Sequence, residues 1–420
     1  MSGMLAKIVN RRSGIVASCT MGTFVSHTPT VMTVFGLFLV PIATEFGWPR
    51  SSVSAALFVV AVSSALTYPW IGYFGDRYGV RPIALIGNAL FAVSVALLFW
   101  TRDNLLQFYF TYALVGITGA TMGPILFSKV VAGWFDKTRG LFLGIVGGVG
   151  NGAGATLMPI YVYMLITNYG WRGAYVGVGL TILIIGFPVM YFFLKDPPKP
   201  KSSDEKISSQ TAQGLTLAEA RKTGTFWMVL CGIALGAGSV TAVFTHVVPM
   251  LLDRGMPFAE ATFVLTVFAL VTVVWQITVG FLLDRFPRPR IIAPFFVLAA
   301  IGVVLFEMTT SYPLLLLAAT LMGIGLGTEY GVLPYFISRY FGLKAYGAIS
   351  GVIYATITLI IGATPALMDL SFDFLGTYRE AMVVIAVGLV VSAMLMGHLK
   401  PFNFLLSKIS QQSPPEQPAG

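Results

Sequence analysis

Charged residues are scarce in this chain, and their scarcity excludes most classes of soluble protein. Asp, Glu, Lys and Arg together make up 10% of its 420 residues, and 56% of the residues are hydrophobic. Soluble domains carry about 25% charged residues. The mean hydropathy of +0.82 agrees with a polytopic membrane protein. The net charge of +9 therefore gives no reason to expect a nucleic-acid partner.

Cysteine is almost absent, and so are the patterns of enzyme sites. Cys19 and Cys231 lie in apolar runs, with no disulfide or metal-binding spacing. The glycine-rich string at 144–154 lacks the preceding strand that a dinucleotide fingerprint requires. No nucleophile, metal or cofactor constellation is present either. We therefore expect no enzyme activity, no metal and no cofactor.

One stretch of the sequence occurs twice, 208 residues apart. The second copy keeps the prolines, acids and glycines of the first at the same spacing, without a gap. The matching positions are Pro41/Pro249, Glu45/Asp253, Gly47/Gly255, Pro49/Pro257, Gly72/Gly280, Asp76/Asp284 and Arg77/Arg285. So many matches at turn-forming positions indicate two structural repeats.

Twelve hydrophobic runs are long enough to cross a bilayer as helices. They cover about 14–41, 52–75, 81–100, 105–132, 139–167, 173–194, 224–250, 259–283, 291–309, 312–338, 345–368 and 379–399. The first run is too long for a cleaved signal peptide, so we expect it to be retained. The fold class predicted is an all-α membrane protein, with twelve transmembrane helices in two pseudo-symmetric six-helix bundles.

A polar segment divides the twelve spans into two sets of six. We predict an N-terminal half at 1–194, a cytoplasmic linker at 195–222, a C-terminal half at 223–400 and a disordered cytoplasmic tail at 401–420. Residues 216–222 are expected to form a short amphipathic helix at the membrane surface. Of the 26 Lys and Arg residues, five lie in the outer segments and 21 in the inner ones. The positive-inside rule then places both termini in the cytoplasm.

The loop after the second span carries a recognisable motif. It reads Gly72-Tyr-Phe-Gly-Asp76-Arg77-Tyr-Gly79-Val-Arg81 and closely resembles the loop signature of the major facilitator superfamily. The second copy, from Gly280 to Arg290, is degenerate. The resemblance implies a substrate site between the halves near the midplane. It also implies an inner conformational latch formed by Gly72, Asp76, Arg77, Arg81, Asp284 and Arg285.

A narrower resemblance points to monocarboxylate transporters. The stretch Gly133-Trp-Phe-Asp-Lys137, followed by a glycine-rich helix, is similar to that family's fifth helix. The loops at 45–51, 170–172 and 339–342 look like those of bacterial relatives. Three family features are missing: an acidic element in the first helix, an Asp/Arg pair in the eighth and an Arg in the fourth. The Arg position is near Tyr112, and the eighth span offers Trp275 and Gln276 instead.

Glu329 is the acid that lies midway along a predicted span. The other sixteen acids fall in loops, tails or helix ends. An ionisable residue inside a span is a candidate functional group, and a low-dielectric site favours its protonated form. The alternative is a buried Glu that fixes helix packing. We predict that Glu329 carries the coupled proton.

Several further polar or aromatic residues are candidate substrate contacts. His27 shares a stripe with Thr23 and Thr30, and His246 lies in the outer part of the seventh span, where the repeat places Phe38 in the other half. Each has a structural alternative, namely a hydrogen-bonded packing residue. His398, Lys129 and Arg339 are expected at the inner interface. The predicted substrate-binding set is His27, Asn151, His246, Trp275, Gln276, Tyr330, Tyr354 and Tyr68.

These observations predict a secondary carrier that uses an ion gradient. The preferred interpretation is proton-coupled symport of a small organic anion, such as a monocarboxylate of the lactate or pyruvate type, by alternating access. One alternative is a carrier or exchanger of aromatic or other larger carboxylates. Another is a transporter-like receptor or sensor. We expect a monomer, surrounded by lipid, in a bacterial-type inner (plasma) membrane.

Overall fold

The computed structural model describes residues 2–197 and 214–402, with side chains from residue 12 onward. Its helices confirm an all-α membrane fold with twelve spanning helices. These are α1 Arg12–Phe46, α2 Arg50–Tyr78, α3 Val80–Trp100, α4 Leu105–Trp134, α5 139–169, α6 171–193, α7 Gly224–Asp253, α8 Phe258–Arg285, α9 Pro289–Met308, α10 Tyr312–Tyr340, α11 Tyr346–Leu375 and α12 Arg379–Gly397.

Gly170 separates α5 from α6. The apolar stretch from Arg139 to Phe193 is otherwise continuous. At Gly170 the backbone has φ 71° and ψ 171°, a conformation that favours glycine and cannot continue a helix. The chain therefore turns at Gly170, and α5 and α6 are two separate crossings of the membrane.

Three of the described spans contain π-helical turns that the sequence pattern did not predict. In α1, the helix Ser2–Phe24 stops and a π-helical segment, Thr28–Met32, begins with Pro29 in its first turn. The glycine-rich segment Val146–Asn151 of α5 is also π-helical, as is Ile182–Gly186 of α6. Such segments leave backbone groups outside the regular α-helical ladder and are frequent at functional sites.

We call α1–α6 the N-half, α7–α12 the C-half, and the face with both termini the inner face. On that side the halves meet along two helix pairs, α2 with α11 and α5 with α8. A Cβ added to Gly72 would collide with the backbone of Gly347, and one added to Gly140 would collide with that of Gly280. Backbone contact this close requires residues without side chains.

The outer side of the molecule is more open. A Cβ added to Gly36 in the outer part of α1 would meet no atom within 4 Å. Val40, one turn further out, is 45% exposed. Within the described residues, most of the hydrogen bonds between the halves lie near the inner face. The structure therefore corresponds to an arrangement closed on the inner face.

The linker is described at its two ends. Asp196 accepts hydrogen bonds from the backbone N–H groups of Val80 (2.5 Å) and Arg81 (3.2 Å) at the start of α3. The short helix expected after Thr216 is present as Leu217–Arg221, with a capping box between Thr216 and Glu219. The backbone N–H of Thr216 donates to the Glu219 carboxylate and, with its hydroxyl, lowers the pKa of that group. The rest of the predicted linker and most of the predicted tail lie outside the described residues.

Candidate functional site

Glu329 lies at the centre of α10 and is 2% exposed. Its flanking residues Gly327 and Gly331 pack against the backbone of α8 around Gln276. The Oε2 atom is buried with no hydrogen-bond partner, and no charged group of the described residues compensates the carboxyl. Burying an unpaired charge costs several kcal/mol or more. The surroundings of Glu329 therefore favour the neutral, protonated carboxyl.

Two tyrosines lie near this carboxyl, and a third lies beside one of them. Tyr330 is 42% exposed although the residues on either side of it in α10 are buried, and its side chain reaches Thr241 of α7. Tyr354 of α11 lies close enough to Glu329 to interact with it electrostatically. The rings of Tyr68 and Tyr354 are 6.4 Å apart and join α2 of the N-half to α11 of the C-half. The structure thus groups three of the predicted contacts with Glu329.

Gln276 lies at the crossing of α5 and α8. It is buried, and its side-chain amide covers the face of Gly147. Gly144 packs against its backbone carbonyl. Asn151 is exposed and lies one helical turn from Gly147 towards the outer face. The two amides therefore follow one another along the α5 surface that faces the C-half.

Trp275 points away from this centre. Its Nε1 donates a hydrogen bond to the Thr328 hydroxyl (3.0 Å), and its ring packs edge-on against Phe295 of α9 at 5.0 Å. It is therefore a packing residue of the α8–α9–α10 contact in this arrangement. Adjacent residues of a helix point about 100° apart, which is why Trp275 and Gln276 have different surroundings.

His27 lies at the break in α1. It is 8% exposed, and its Cβ packs against Gly119 of α4. The Nδ1 atom is buried without a hydrogen-bond partner. Thr23 of the same predicted stripe donates to the Val146 carbonyl of α5 at 2.7 Å, and Thr30 donates to Ser26 O. The stripe is thus largely used in packing within the N-half.

His246 has a partner that sequence reasoning missed. Its Nε2 atom is 2.8 Å from Asp369 Oδ1, and its Nδ1 atom is 2.8 Å from the Ala242 carbonyl. The eleventh helix extends to Leu375 rather than 368, so Asp369 lies inside it. The expectation that acids other than Glu329 occupy loops, tails or helix ends is therefore wrong for Asp369. A substrate carboxylate could bind His246 only by displacing Asp369.

The inner face holds a symmetric pair of helix caps. Asp76 accepts from the backbone N–H groups of Gly347 and Ala348 at the start of α11, both at 2.9 Å. Asp284 accepts from those of Gly140 and Leu141 at the start of α5, also at 2.9 Å. Each carboxylate thus caps a helix of the opposite half, where the unpaired N–H groups favour an anion.

The arginines of the predicted latch make other contacts. Arg77 donates to the Tyr73 hydroxyl at 3.3 Å, and Arg81 donates to the Tyr191 carbonyl at 2.8 Å, both within the N-half. Within the described residues, Arg285 makes no hydrogen bond or ion pair with the N-half. Within the described chain, the latch contacts come from Gly72, Asp76, Gly280 and Asp284.

Two cations expected simply to reach the inner interface form ion pairs instead. Lys129 binds Asp76 at 2.7 Å, and Arg339 binds Asp136 across the halves at 2.8 Å. Tyr346 of α11 donates to the Ser128 hydroxyl of α4 at 3.0 Å, also across the halves. No repeat or motif singled out Ser128 or Tyr346, and Asp136 stood in the motif Gly133–Lys137 without a role assigned to it.

This fold and site define a membrane transporter built from two six-helix halves. A family model described as Major Facilitator Superfamily matches residues 19–365 and 247–403. The chain belongs to this family, and it is a transporter rather than an enzyme.

Relatives and a solved structure agree with this assignment. Monocarboxylate transporter 11 of Homo sapiens is 30% identical over 67% of this chain and 59% of that protein, so the match spans about three fifths of its length. Monocarboxylate transporter 12 of Rattus norvegicus is 22% identical over 92% of this chain and 85% of that protein. The crystal structure of the human organic anion transporter MFSD10 (TETRAN) superposes with a TM-score of 0.72, at 14% identity, over 91% of this chain and 99% of that one.

Proposed function

We propose that this protein is a proton-coupled symporter of a small organic anion of the monocarboxylate class. It works by alternating access as a monomer in an inner (plasma) membrane, with both termini cytoplasmic. The observation that carries the proposal is the buried, uncompensated carboxyl of Glu329. The names of the relatives, which are monocarboxylate transporters, support the substrate class.

The missing cation explains how proton and anion are coupled. An ionised Glu329 would repel a substrate carboxylate in a low-dielectric site. A protonated Glu329 instead donates a charge-assisted hydrogen bond to that carboxylate. The tyrosine hydroxyls and the Gln276 amide supply further donors. The site therefore accepts the anion only together with a proton, and the proton and anion transported together carry no net charge.

A second substrate class is favoured by the aromatic lining. Tyr330 and Tyr354 lie close enough to Glu329 to interact with it electrostatically, and the ring of Tyr68 lies 6.4 Å from that of Tyr354. Aromatic rings of a ligand would stack on them with a gain of about 0.5–1.5 kcal/mol per pair. An aromatic carboxylate is thus the second candidate. A thermal-shift panel that includes lactate, pyruvate and benzoate separates the two classes.

Replacing Glu329 by Gln tests the coupling. An amide imitates the protonated carboxyl but cannot release a proton, so Glu329→Gln should abolish pH-gradient-driven uptake and retain exchange. Radiolabelled lactate, pyruvate and benzoate in proteoliposomes give both rates, and wild-type uptake should not respond to membrane potential. The matched control is Glu329→Asp, which keeps an ionisable group. Full uphill uptake by the Gln variant would remove Glu329 from the proton path.

A further inference from the structure

We propose that the His246–Asp369 pair is the outer proton acceptor and delivers its proton to Glu329 along α7. This inference rests on the proposed function, because it names the route by which the coupled proton enters. Asp369 is 62% exposed at its side chain, whereas His246 is 7% exposed. The pair therefore joins the outer solution to the protein interior.

The geometry of His246 shows how many protons the pair holds. The Ala242 carbonyl can only accept a hydrogen bond, so a proton lies on Nδ1, 2.8 Å away. The contact of 2.8 Å between Nε2 and Asp369 Oδ1 needs a second proton, because two lone pairs would repel each other. The pair thus holds one proton more than a neutral imidazole beside a carboxylate. That proton is shared between Nε2 and Oδ1.

A line of hydroxyls leads from this pair towards Glu329. Thr245 Oγ1 is 3.0 Å from His246 Nδ1 and donates to the Ala242 carbonyl at 2.9 Å. Thr241 lies one turn further in, about 6 Å along the helix. The Thr241 hydroxyl is buried without a well-aligned partner, and the side chain of Tyr330 reaches it from α10.

Tyr330 stands between two unsatisfied groups. One is the Thr241 hydroxyl, and the other is Oε2 of its neighbour Glu329. The side chains of Thr245, Thr241 and Tyr330 therefore lie in order between His246 and Glu329, and each hydroxyl can both accept and donate a proton. In each transfer a proton leaves one oxygen or nitrogen as the next atom in the line accepts it.

Tyr378 and several acids lie beside the pair. The ring of Tyr378 lies 5.8 Å from that of His246. Burial raises the pKa of Tyr378, and the carboxylates of Asp369, Asp253 and Asp373 raise it further. The titratable groups that contact or surround His246 and Tyr378 here are thus acids and a phenol. In the N-half the corresponding Phe38 stacks on Tyr175 at 3.9 Å, so the pair is particular to the C-half.

The first test observes the proton directly. The chain has three histidines, so ¹⁵N-histidine labelling in nanodiscs gives three imidazoles, which single His→Gln variants assign. We expect His246 to carry protons on both nitrogens at pH 7 and to lose one in Asp369→Asn. The matched control is Asp373→Asn, an exposed acid one turn further out on α11. If His246 is neutral both in the wild-type protein and in Asp369→Asn, the proposal is wrong.

The second test measures delivery to Glu329. In proteoliposomes, His246→Gln and Asp369→Asn should lower pH-gradient-driven uptake of lactate, pyruvate or benzoate about a hundredfold, the lower end of what a positioned proton donor contributes. Exchange at equal pH needs no net entry of protons, so it should fall much less than uptake. Equal losses in uptake and exchange would show a merely structural role.

The outcomes separate the two proposals. If Glu329→Gln stops coupled uptake while His246→Gln and Asp369→Asn do not, the outer acceptor is wrong and the proposed function stands. If Glu329→Gln retains uphill uptake, the coupling assigned to Glu329 fails, whatever the His246 variants do.

Discussion

At the scale of single residues, the inner contact depends on two carboxylates placed at helix N-termini. Asp76 and Asp284 each accept two backbone N–H groups from the opposite half. These hydrogen bonds exist only while the inner face is closed. They stabilise that arrangement without touching a ligand at the midplane, so they influence the equilibrium between conformations rather than affinity.

We therefore expect Asp76→Asn to lower turnover and leave substrate affinity nearly unchanged. An amide oxygen accepts more weakly than a carboxylate, and hydrogen bonds to charged groups contribute about 1.5–3 kcal/mol. The closed arrangement should lose roughly tenfold or more in relative population. Transport kinetics and binding by thermal shift give the two quantities.

Arg77→Gln is the control for this prediction. Arg77 belongs to the same motif but contacts Tyr73 within its own half, so its loss should change turnover less than Asp76→Asn. If turnover is unchanged in Asp76→Asn, Asp76 only anchors the loop and does not influence the equilibrium between conformations.

At the scale of helices, glycine decides which pairs form the contact between the halves. Gly140 and Gly280 lie against each other's backbone, as do Gly72 and Gly347. Sequence reasoning placed Gly72 in the latch and Gly280 at the matching position of the repeat. It did not identify the partner helix, because a glycine allows any neighbouring helix to approach closely and does not select one.

A single methyl group at this contact should open the inner face. Gly140→Ala places a Cβ against the Gly280 carbonyl, a clash that is relieved when the halves separate. We expect faster alkylation of a cysteine introduced at Ser128, in a background that lacks the exposed Cys231. The change in melting temperature should be small, because the clash does not exist in the separated arrangement.

The matched control is Gly224→Ala, since a Cβ there would meet nothing within 4 Å. An alkylation rate in Gly140→Ala equal to that of the control would show that the helix contact tolerates a side chain.

At the scale of the whole molecule, closure of the inner face must alternate with closure of the outer face. The Tyr346–Ser128 hydrogen bond joins α11 to α4 across the halves. Joining Ser128→Cys to Tyr346→Cys with a short bis-thiol reagent should hold the inner face closed. Transport should stop, binding from the outside should persist, and a reducing agent should restore transport.

Each single cysteine variant, treated in the same way, serves as the control for the cross-link. Transport at the normal rate through the cross-linked protein would contradict rocking of the halves about the central site.

The sequence by itself determined the spans, the repeat and the position of Glu329 within a span. Each of these follows from the order of residues in the chain alone. The length of a hydrophobic run predicts a membrane-spanning helix, and the constant spacing of 208 residues identifies the repeat. Glu329 is identified as an acid within an apolar run. The irregular turns of α1, α5 and α6 were missed, because local departures from a regular helix leave the apolar pattern unchanged.

Only the tertiary structure decided which faces of the helices meet. It gave His246 the partner Asp369, turned Trp275 towards Phe295, and brought Asp76 to the start of α11. The physical reason is that lipid-facing and protein-facing surfaces are both apolar in a membrane protein. Hydrophobic periodicity therefore carries little information about helix rotation. Partners distant in the chain are fixed by packing, and the choice between open and closed arrangements is fixed by contacts that exist in one of them alone.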